Sequence, residues 1–212
     1  MYNNFNSALS KNDDLFSIQV HVYTTIKNII TDKVRIPLPD IDEALMMTRA
    51  VVHKKGDYIL REGSHCHFIA FLHKGLIAAT IIYDGKEVAC DFIHEGCFFT
   101  YTEGLAVQMV SHKNFLALED CEMLMINKNQ LPAIFSINPK FESFFLHLLT
   151  EELRNRMLQE QQNRTRTMEE RYTSFFNRFP DAFNRVPQKW IAGYLGIEPQ
   201  SLSRLRKKMA GK

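Results

Sequence analysis

The sequence predicts an α+β protein in which a small all-β domain is followed by helices. Six of the nine glycines fall between residues 56 and 104, at intervals of 7 to 12 residues, and short apolar runs lie between them. This spacing of turn residues is typical of a small β-sandwich or β-barrel. After residue 138 the apolar residues recur with a helical period instead.

Helical segments also precede the β segment. The stretch PLPDIDEALMMTRA predicts a short helix that Pro39 and Asp40 open. An earlier helix is predicted by apolar residues at steps of three and four positions, namely Leu15, Ile18, Val22, Ile26, Ile29 and Ile30. Within the β segment, Asp84 and Gly85 can supply the two positive φ angles of a type I′ hairpin turn.

A long helix with a wide apolar stripe is predicted after the β segment. The stripe comprises Phe141, Phe144, Phe145, Leu148, Leu149, Leu153 and Met157. Such a stripe either packs back on the β domain or joins two chains, and we expect Leu149, Leu153 and Met157 to form a homodimer interface. Thr167 and Glu170 then form the Thr-x-x-Glu pattern of a capping box, which predicts a new helix and a domain boundary just before it.

Basic residues are concentrated at the C-terminal end. Residues 151–212 carry 13 Lys and Arg against 7 Asp and Glu, whereas residues 1–150 carry 13 against 17. This excess favours a polyanionic partner, although solvated helix faces give the same pattern. The longest apolar run, GLIAATIIY, is shorter than the roughly 18 residues that cross a bilayer. We therefore expect a cytoplasmic protein without membrane contact.

No arrangement of residues predicts an enzyme. The sequence has no Gly-rich phosphate loop, nucleophile elbow or pair of catalytic carboxylates, and it predicts no cofactor. Four cysteines lie far apart without a Cys-x-x-Cys pair, which favours reduced structural thiols over an iron–sulfur site. They are Cys66, Cys90, Cys97 and Cys121.

The histidines suggest an alternative function, the binding of a metal ion or a small molecule. His65 and His67, with His73 and His94 farther along, would suit a cupin-like β-roll that binds a metal or a small molecule. A cupin site also needs a carboxylate at a set spacing, and no Glu follows His67 at three or four residues. We therefore predict a turn at this position and no metal site.

The C-terminal stretch WIAGYLGIEPQSLSRLRKK predicts a helix-turn-helix. The first helix runs from Gln188 to Leu195 and ends at Gly196, which tolerates the left-handed conformation. Pro199 suits the first turn of the second helix, where its missing N–H is not needed. The small side chain of Ala192 allows the two helices to cross closely. Glu198, at the expected N-cap, is a weak cap.

The second helix of this pair has two distinct faces. Leu202, Leu205 and Met209 lie on one side and are expected to be buried. The opposite face carries side chains that recognise base edges in DNA, because Arg pairs with guanine and Gln with adenine. These are Gln200, Ser203, Arg204 and Lys207, and Lys207, Lys208 and Lys212 also suit phosphates. A solvated basic face is the alternative interpretation.

Taken together, these segments resemble the Crp/Fnr family of bacterial transcription regulators. The resemblance spans about residues 50–208 and is carried by KKGDYILREGSHCHFIAFLHKGLI, YDGKEV, HEGCFF, LALEDCEMLMI and VPQKWIAGYLGIEPQSLSRLRKK. It implies a jelly-roll-like double-stranded β-helix of the cyclic-nucleotide-binding type with flanking helices, a long dimerisation helix, and a small winged-helix-like helix-turn-helix domain. The corresponding boundaries are 1–138, 139–166 and 167–212.

The resemblance also implies a function. It implies a homodimer that binds double-stranded DNA at a near-palindromic site, with two recognition helices in successive major grooves, and RNA polymerase as a further partner. Gln200, Ser201 and Arg204 fall at the base-contacting positions of the family.

The effector site is where the sequence departs from the cyclic-AMP-binding members of the family. Those members offer a Glu to the ribose and, ten residues later, an Arg followed by Ser or Thr to the phosphate. Counted from Gly96, these places hold Tyr101, Ser111 and His112, and Lys113 follows. Loss of the Arg removes a charge-assisted contact of about 1.5–3 kcal/mol. We predict a regulator that does not respond to cyclic AMP, whose effector is unknown; a retained cyclic-nucleotide site is the alternative.

Overall fold

A computed structural model describes residues 19–106 and 109–210. The first helix, α1, covers residues 19–34, and α2 covers Leu38–Met46. Val22, Ile26 and Ile30 of α1 are buried, as the periodicity predicts. Leu15 and Ile18, which belong to the same predicted helix, lie outside the described residues.

Eight strands form two four-stranded antiparallel sheets. The strands are β1 (Arg49–His53), β2 (Tyr58–Leu60), β3 (Phe68–Lys74), β4 (Ile77–Tyr83), β5 (Lys86–Ile93), β6 (Phe98–Phe99), β7 (Asn114–Ala117) and β8 (Cys121–Asn127). One sheet has the order β1-β8-β3-β6 and the other β2-β7-β4-β5. Asp84 and Gly85 have φ angles of 49° and 69° at the β4–β5 turn, which confirms the predicted turn.

Three apolar clusters hold the fold together. One fills the space between the two sheets and includes Leu72, Ile77, Phe115 and Met123. A second packs the first sheet against the helices before and after it. The third packs the second sheet against the C-terminal helices. The helices therefore cover both outer faces of the β-roll, which is how an α+β domain buries its sheets.

The remaining described helices are one short helix between β6 and β7 and six helices after β8. They are α3 (Glu103–Ala106), α4 (Leu131–Ile137), α5 (Lys140–Thr165), α6 (Met168–Arg178), α7 (Ala182–Arg185), α8 (Gln188–Leu195) and α9 (Pro199–Ala210), with a 3-10 turn at Lys128–Gln130. The predicted capping box is present, because the Thr167 side chain accepts from the Glu170 N–H while Glu170 accepts from the Thr167 N–H. Among the described helices, none is long and apolar enough to cross a membrane.

The wing of the expected winged helix has no counterpart here. Residues 166–210 contain helices and turns but no strand. Between α6 and α8 lie Pro180, Pro187 and the four-residue α7. Proline lacks the N–H that a hairpin ladder requires, so this connection is a poor strand former. The C-terminal unit is thus a helical helix-turn-helix without the predicted wing.

Candidate DNA-binding and effector sites

The α8–α9 connection has the geometry of a tight helix-turn-helix. Gly196 ends α8 at φ 68° and ψ 36°. Its N–H donates to Gly193 O at 3.0 Å, and the Ile197 N–H donates to Ala192 O at 3.0 Å. This pair of bonds satisfies the last carbonyls of the helix and requires a residue that tolerates the left-handed region. Leu202 is fully buried where α9 contacts α8, and Ala192 is almost so.

The outer face of α9 is polar and open to solvent. The residues at the predicted DNA contacts are all exposed, namely Gln200, Ser201, Ser203, Arg204 and Lys207. Lys208, a predicted phosphate contact, forms an ion pair with Glu169 of α6 instead. Lys212 lies outside the described residues. The face therefore presents hydrogen-bonding and cationic side chains that are free of the protein core.

The helix-turn-helix is docked on the β-roll. Helix α8 lies against β5, and a Cβ added at Gly193 would lie 3.3 Å from the Ala89 backbone N. Phe92 of β5 contacts Phe175 and Phe179 of the α6 region edge to face. Close approach of α8 therefore depends on the missing side chain at position 193.

Charged residues tie the same two parts together. Arg185 of α7 donates to Glu95 at 2.6 Å and to Glu119 at 2.6 Å, two carboxylates on turns of the roll. Arg178 at the end of α6 donates to Asp91 of β5 at 3.2 Å. Burial raises the pKa of Asp91 above its ordinary value, and the charge of Arg178 opposes that shift.

A cavity of about 500 Å³ opens between the β-roll and α5. Its wall is mainly apolar and aromatic, with Phe92, Phe98, Phe99, Phe115 and Phe145. Three of the four residues of the expected effector site, Tyr101, His112 and Lys113, line it, and Ser111 does not. Arg178 and Phe179 of the C-terminal unit complete the wall, so the cavity touches both the β-roll and the helix-turn-helix unit.

The predicted effector residues bond mainly to one another. The Tyr101 hydroxyl lies 2.6 Å from His112 Nδ1, and Tyr101 is only 1% exposed. Burial raises the pKa of Tyr101, so it remains a neutral phenol. The buried Ser111 hydroxyl donates to Lys113 O at 2.7 Å and accepts from the Lys113 N–H at 3.1 Å. These groups are satisfied inside the protein without a ligand.

An ion network beside them joins the short helix α3 to α5. Arg156 donates to Glu152 at 2.7 Å and to Glu103 at 3.2 Å, and Lys113 Nζ lies 3.6 Å from Glu103. Burial would raise the pKa of Glu103, but a hydrogen bond from its own backbone and the charges of Lys113 and Arg156 lower it. Arg156 is thus already paired with two carboxylates.

The apolar residues of the α5 stripe lie in two different environments. Leu153 and Met157 are 60% and 63% exposed, whereas Leu149 is half-buried and lines the cavity. Leu153 and Met157 therefore remain available to a second chain. Leu149 contributes to the cavity wall as well as to the edge of the stripe.

The histidines and cysteines form no evident metal site. The rings of His65 and His67 lie 5.9 Å apart. Across residues 19–106 and 109–210, no group of three or more His, Cys, Asp or Glu side chains is arranged to hold a metal ion. All four cysteines are free thiols, and burial raises the pKa of Cys121 to about 11.

Comparisons with known proteins find matches to the β-roll and to the fold of the chain. Residues 50–138 match the family model of the cyclic nucleotide-binding domain. No curated protein matches the chain. Among solved structures, the c-di-GMP-responsive global regulator CLP of Xanthomonas campestris superposes with a TM-score of 0.64 at 15% identity, over 82% of this chain and 92% of CLP.

Two further structures have the same architecture. FixK2 of Bradyrhizobium japonicum gives a TM-score of 0.66 at 16% identity, over 77% of this chain and 85% of FixK2. A protein of Eubacterium rectale described as a Crp/Fnr-family transcriptional regulator gives 0.65 at 14% identity, over 82% and 84% of the two chains. The chain has the Crp/Fnr fold. The resemblance drawn from the sequence motifs is therefore confirmed at the level of the fold.

Within this Crp/Fnr fold, sequence reasoning missed the residues that join the domains. Arg156, Glu103 and Arg185 were not singled out, although each is central to a polar network. The i,i+4 spacing of Glu152 and Arg156 is a signal for a pair on one helix. Nothing local in the sequence signals the contact of Arg156 with Glu103, because 53 residues separate them.

Proposed function

We propose that the protein is a dimeric, sequence-specific DNA-binding transcription regulator of the Crp/Fnr type. The observation that carries the proposal is the exposed face of α9, which presents Gln200, Ser203, Arg204 and Lys207 beside a buried face of Leu202 and Leu205. A recognition helix needs this division, because one side packs on α8 while the other reaches base edges in the major groove. Ser201 is a further contact by the family resemblance.

Dimerisation through α5 is the second part of the proposal. Leu153 and Met157 are large apolar side chains that remain more than half exposed on a 26-residue helix. A two-fold helix pair would cover both side chains. By the family resemblance, the two copies of α9 would then enter successive major grooves. RNA polymerase is the further partner we expect, in the cytoplasm. We assign no enzymatic activity.

The third part of the proposal is that the regulator does not respond to cyclic AMP. The place of the ribose-binding Glu holds Tyr101, which bonds to His112, and the place of the phosphate-binding Arg holds Ser111, whose hydroxyl bonds to the Lys113 backbone. A cyclic phosphate would find no guanidinium at this position, and the nearby Arg156 is paired with Glu152 and Glu103. The cavity would therefore be empty or serve a different effector.

Capture of genomic DNA fragments by the purified protein, with and without cyclic AMP, tests the function. We expect enrichment of a near-palindromic sequence that is the same in both conditions. Binding to the enriched duplex should weaken steeply with salt, because several phosphates are contacted. Recovery of random fragments would remove the sequence-specific function, and enrichment only with cyclic AMP would contradict the third part.

A further inference from the structure

A second cleft, separate from the DNA-binding face, lies where α5 meets the C-terminal helices. Three arginines line it, Arg166, Arg171 and Arg178, and its volume is about 480 Å³. The described lining residues include no Asp or Glu. The other polar side chains are four amides and two hydroxyls, from Asn155, Gln159, Gln162, Asn177, Ser174 and Tyr194.

Arg171 is the least satisfied of the three arginines. Its Nε is buried and has no hydrogen-bond partner among the described residues. One of its terminal nitrogens, Nη2, donates to the sulfur of Met168 at 3.7 Å, and sulfur is a weak acceptor. Buried guanidinium N–H groups are nearly always bonded, so this one indicates a missing acceptor.

The other two arginines are partly engaged. Arg178 donates to Asp91 and to Gln159, each at 3.2 Å. Arg166 donates to the Ser174 hydroxyl and lies near Glu170, whose carboxylate caps Thr167. In the described part of the chain, no carboxylate forms an ion pair with Arg166 or Arg171. Among the described residues, the cleft therefore holds two guanidinium groups without an ion-pair partner.

The cleft stays open in the proposed dimer. At about 100° per residue, Asn155, Leu158 and Gln162 point roughly 120° to 180° away from the midpoint between Leu153 and Met157. A second chain packed on that exposed stripe would cover the opposite side of α5. No residue of α9 lines the cleft, so it is also distinct from the predicted DNA contacts.

We propose that this cleft binds a small organic phosphate. Guanidinium groups pair with phosphate through two parallel hydrogen bonds, and the surrounding amides can donate to the remaining oxygens. Phe175, Tyr194 and Leu195 form an apolar and aromatic wall for the organic part of the ligand. Since the lining comes from α5, α6 and α8, a bound phosphate would join the long helix to the helix-turn-helix. The proposal does not depend on DNA binding.

Calorimetric titration of the full-length protein with phenyl phosphate and with inorganic phosphate, at constant ionic strength, tests this site. We expect saturable binding that is tighter for phenyl phosphate. R171Q should weaken it by about tenfold or more, the value of one charge-assisted contact. R166Q provides a second variant should R171Q fail to fold by circular dichroism. R154Q is the matched control, because Arg154 pairs with Glu151 and does not line the cleft.

Three results would overturn the proposal. One is the absence of saturable binding for both phosphates. Another is an equal loss of affinity in R154Q and R171Q, which would indicate an unspecific response to charge. The third is unchanged phosphate binding in R171Q together with a smaller salt dependence of duplex DNA binding, which would make Arg171 a contact to the DNA backbone. R204A must leave phosphate binding unchanged, which separates this site from the proposed DNA-binding function.

Discussion

The Arg185 guanidinium is bonded to both carboxylate oxygens of Glu95, at 2.6 and 3.0 Å. Arg185 belongs to α7 of the C-terminal unit, and Glu95 lies on the β5–β6 turn of the roll. The same guanidinium bonds Glu119, and Glu95 also accepts from the Gly75 N–H at 3.0 Å. One side chain thus ties the helix-turn-helix unit to two turns of the roll.

Substitution of this arginine should loosen the two units. We expect R185A to lower the free energy of unfolding by about 1–2 kcal/mol, less than for a fully buried pair because the groups are partly solvated. Urea unfolding measures this change. R154A, which breaks an exposed pair within α5, should cost at most about 0.5 kcal/mol. An equal effect of the two variants would mean that Arg185 contributes nothing special to docking.

Acid should weaken the same contact. Burial would raise the pKa of Glu95, but Arg185 and two backbone hydrogen bonds hold it below its ordinary value of 4.5. A depressed carboxyl pKa stabilises the folded state above the unfolded pKa, and this contribution is lost as the pH falls through the folded pKa. E95Q should therefore be less stable than the parent near neutral pH, and the difference should shrink below about pH 4. Urea unfolding across this range measures it; a difference that grows in acid would reverse the assigned sign.

Arg204 should contribute to sequence recognition. R204A is expected to weaken binding to the captured duplex by about 1–3 kcal/mol and to relax specificity at one base pair, because the bidentate contact to a guanine edge is lost. Competition titrations with single-base variants of the site measure both effects. K207A, on the same face, should weaken all duplexes alike if Lys207 contacts phosphate. If R204A also lowers the affinity for all duplexes by the same factor, Arg204 contacts only a phosphate.

Met157 should be needed for the dimer. M157K places a charge in the centre of the proposed α5 pair, where desolvation and like-charge repulsion oppose association. Sedimentation equilibrium should then show a monomer, and DNA affinity should fall. M46K is the control, because Met46 is an 82% exposed methionine on α2 and is not part of the exposed stripe of α5. A dimer that persists in M157K would place the interface elsewhere.

Features that depend on neighbours in the chain were predictable. Asp84-Gly85, the Thr167–Glu170 capping box and the Gly196 helix end each rest on a local conformational preference, and each is present as expected. The division of α9 into a buried and an exposed face follows from helical periodicity alone.

The sequence by itself therefore determined the β-roll, the long helix and the two faces of the helix-turn-helix. The tertiary structure alone decided which of these parts touch. Gly193 meets Ala89, Arg156 meets Glu103, and Leu149 faces a cavity, across separations that no sequence period encodes. Such contacts arise when several amphipathic elements bury their apolar faces together, and the charged residues at the edges then pair with whatever groups packing has brought near.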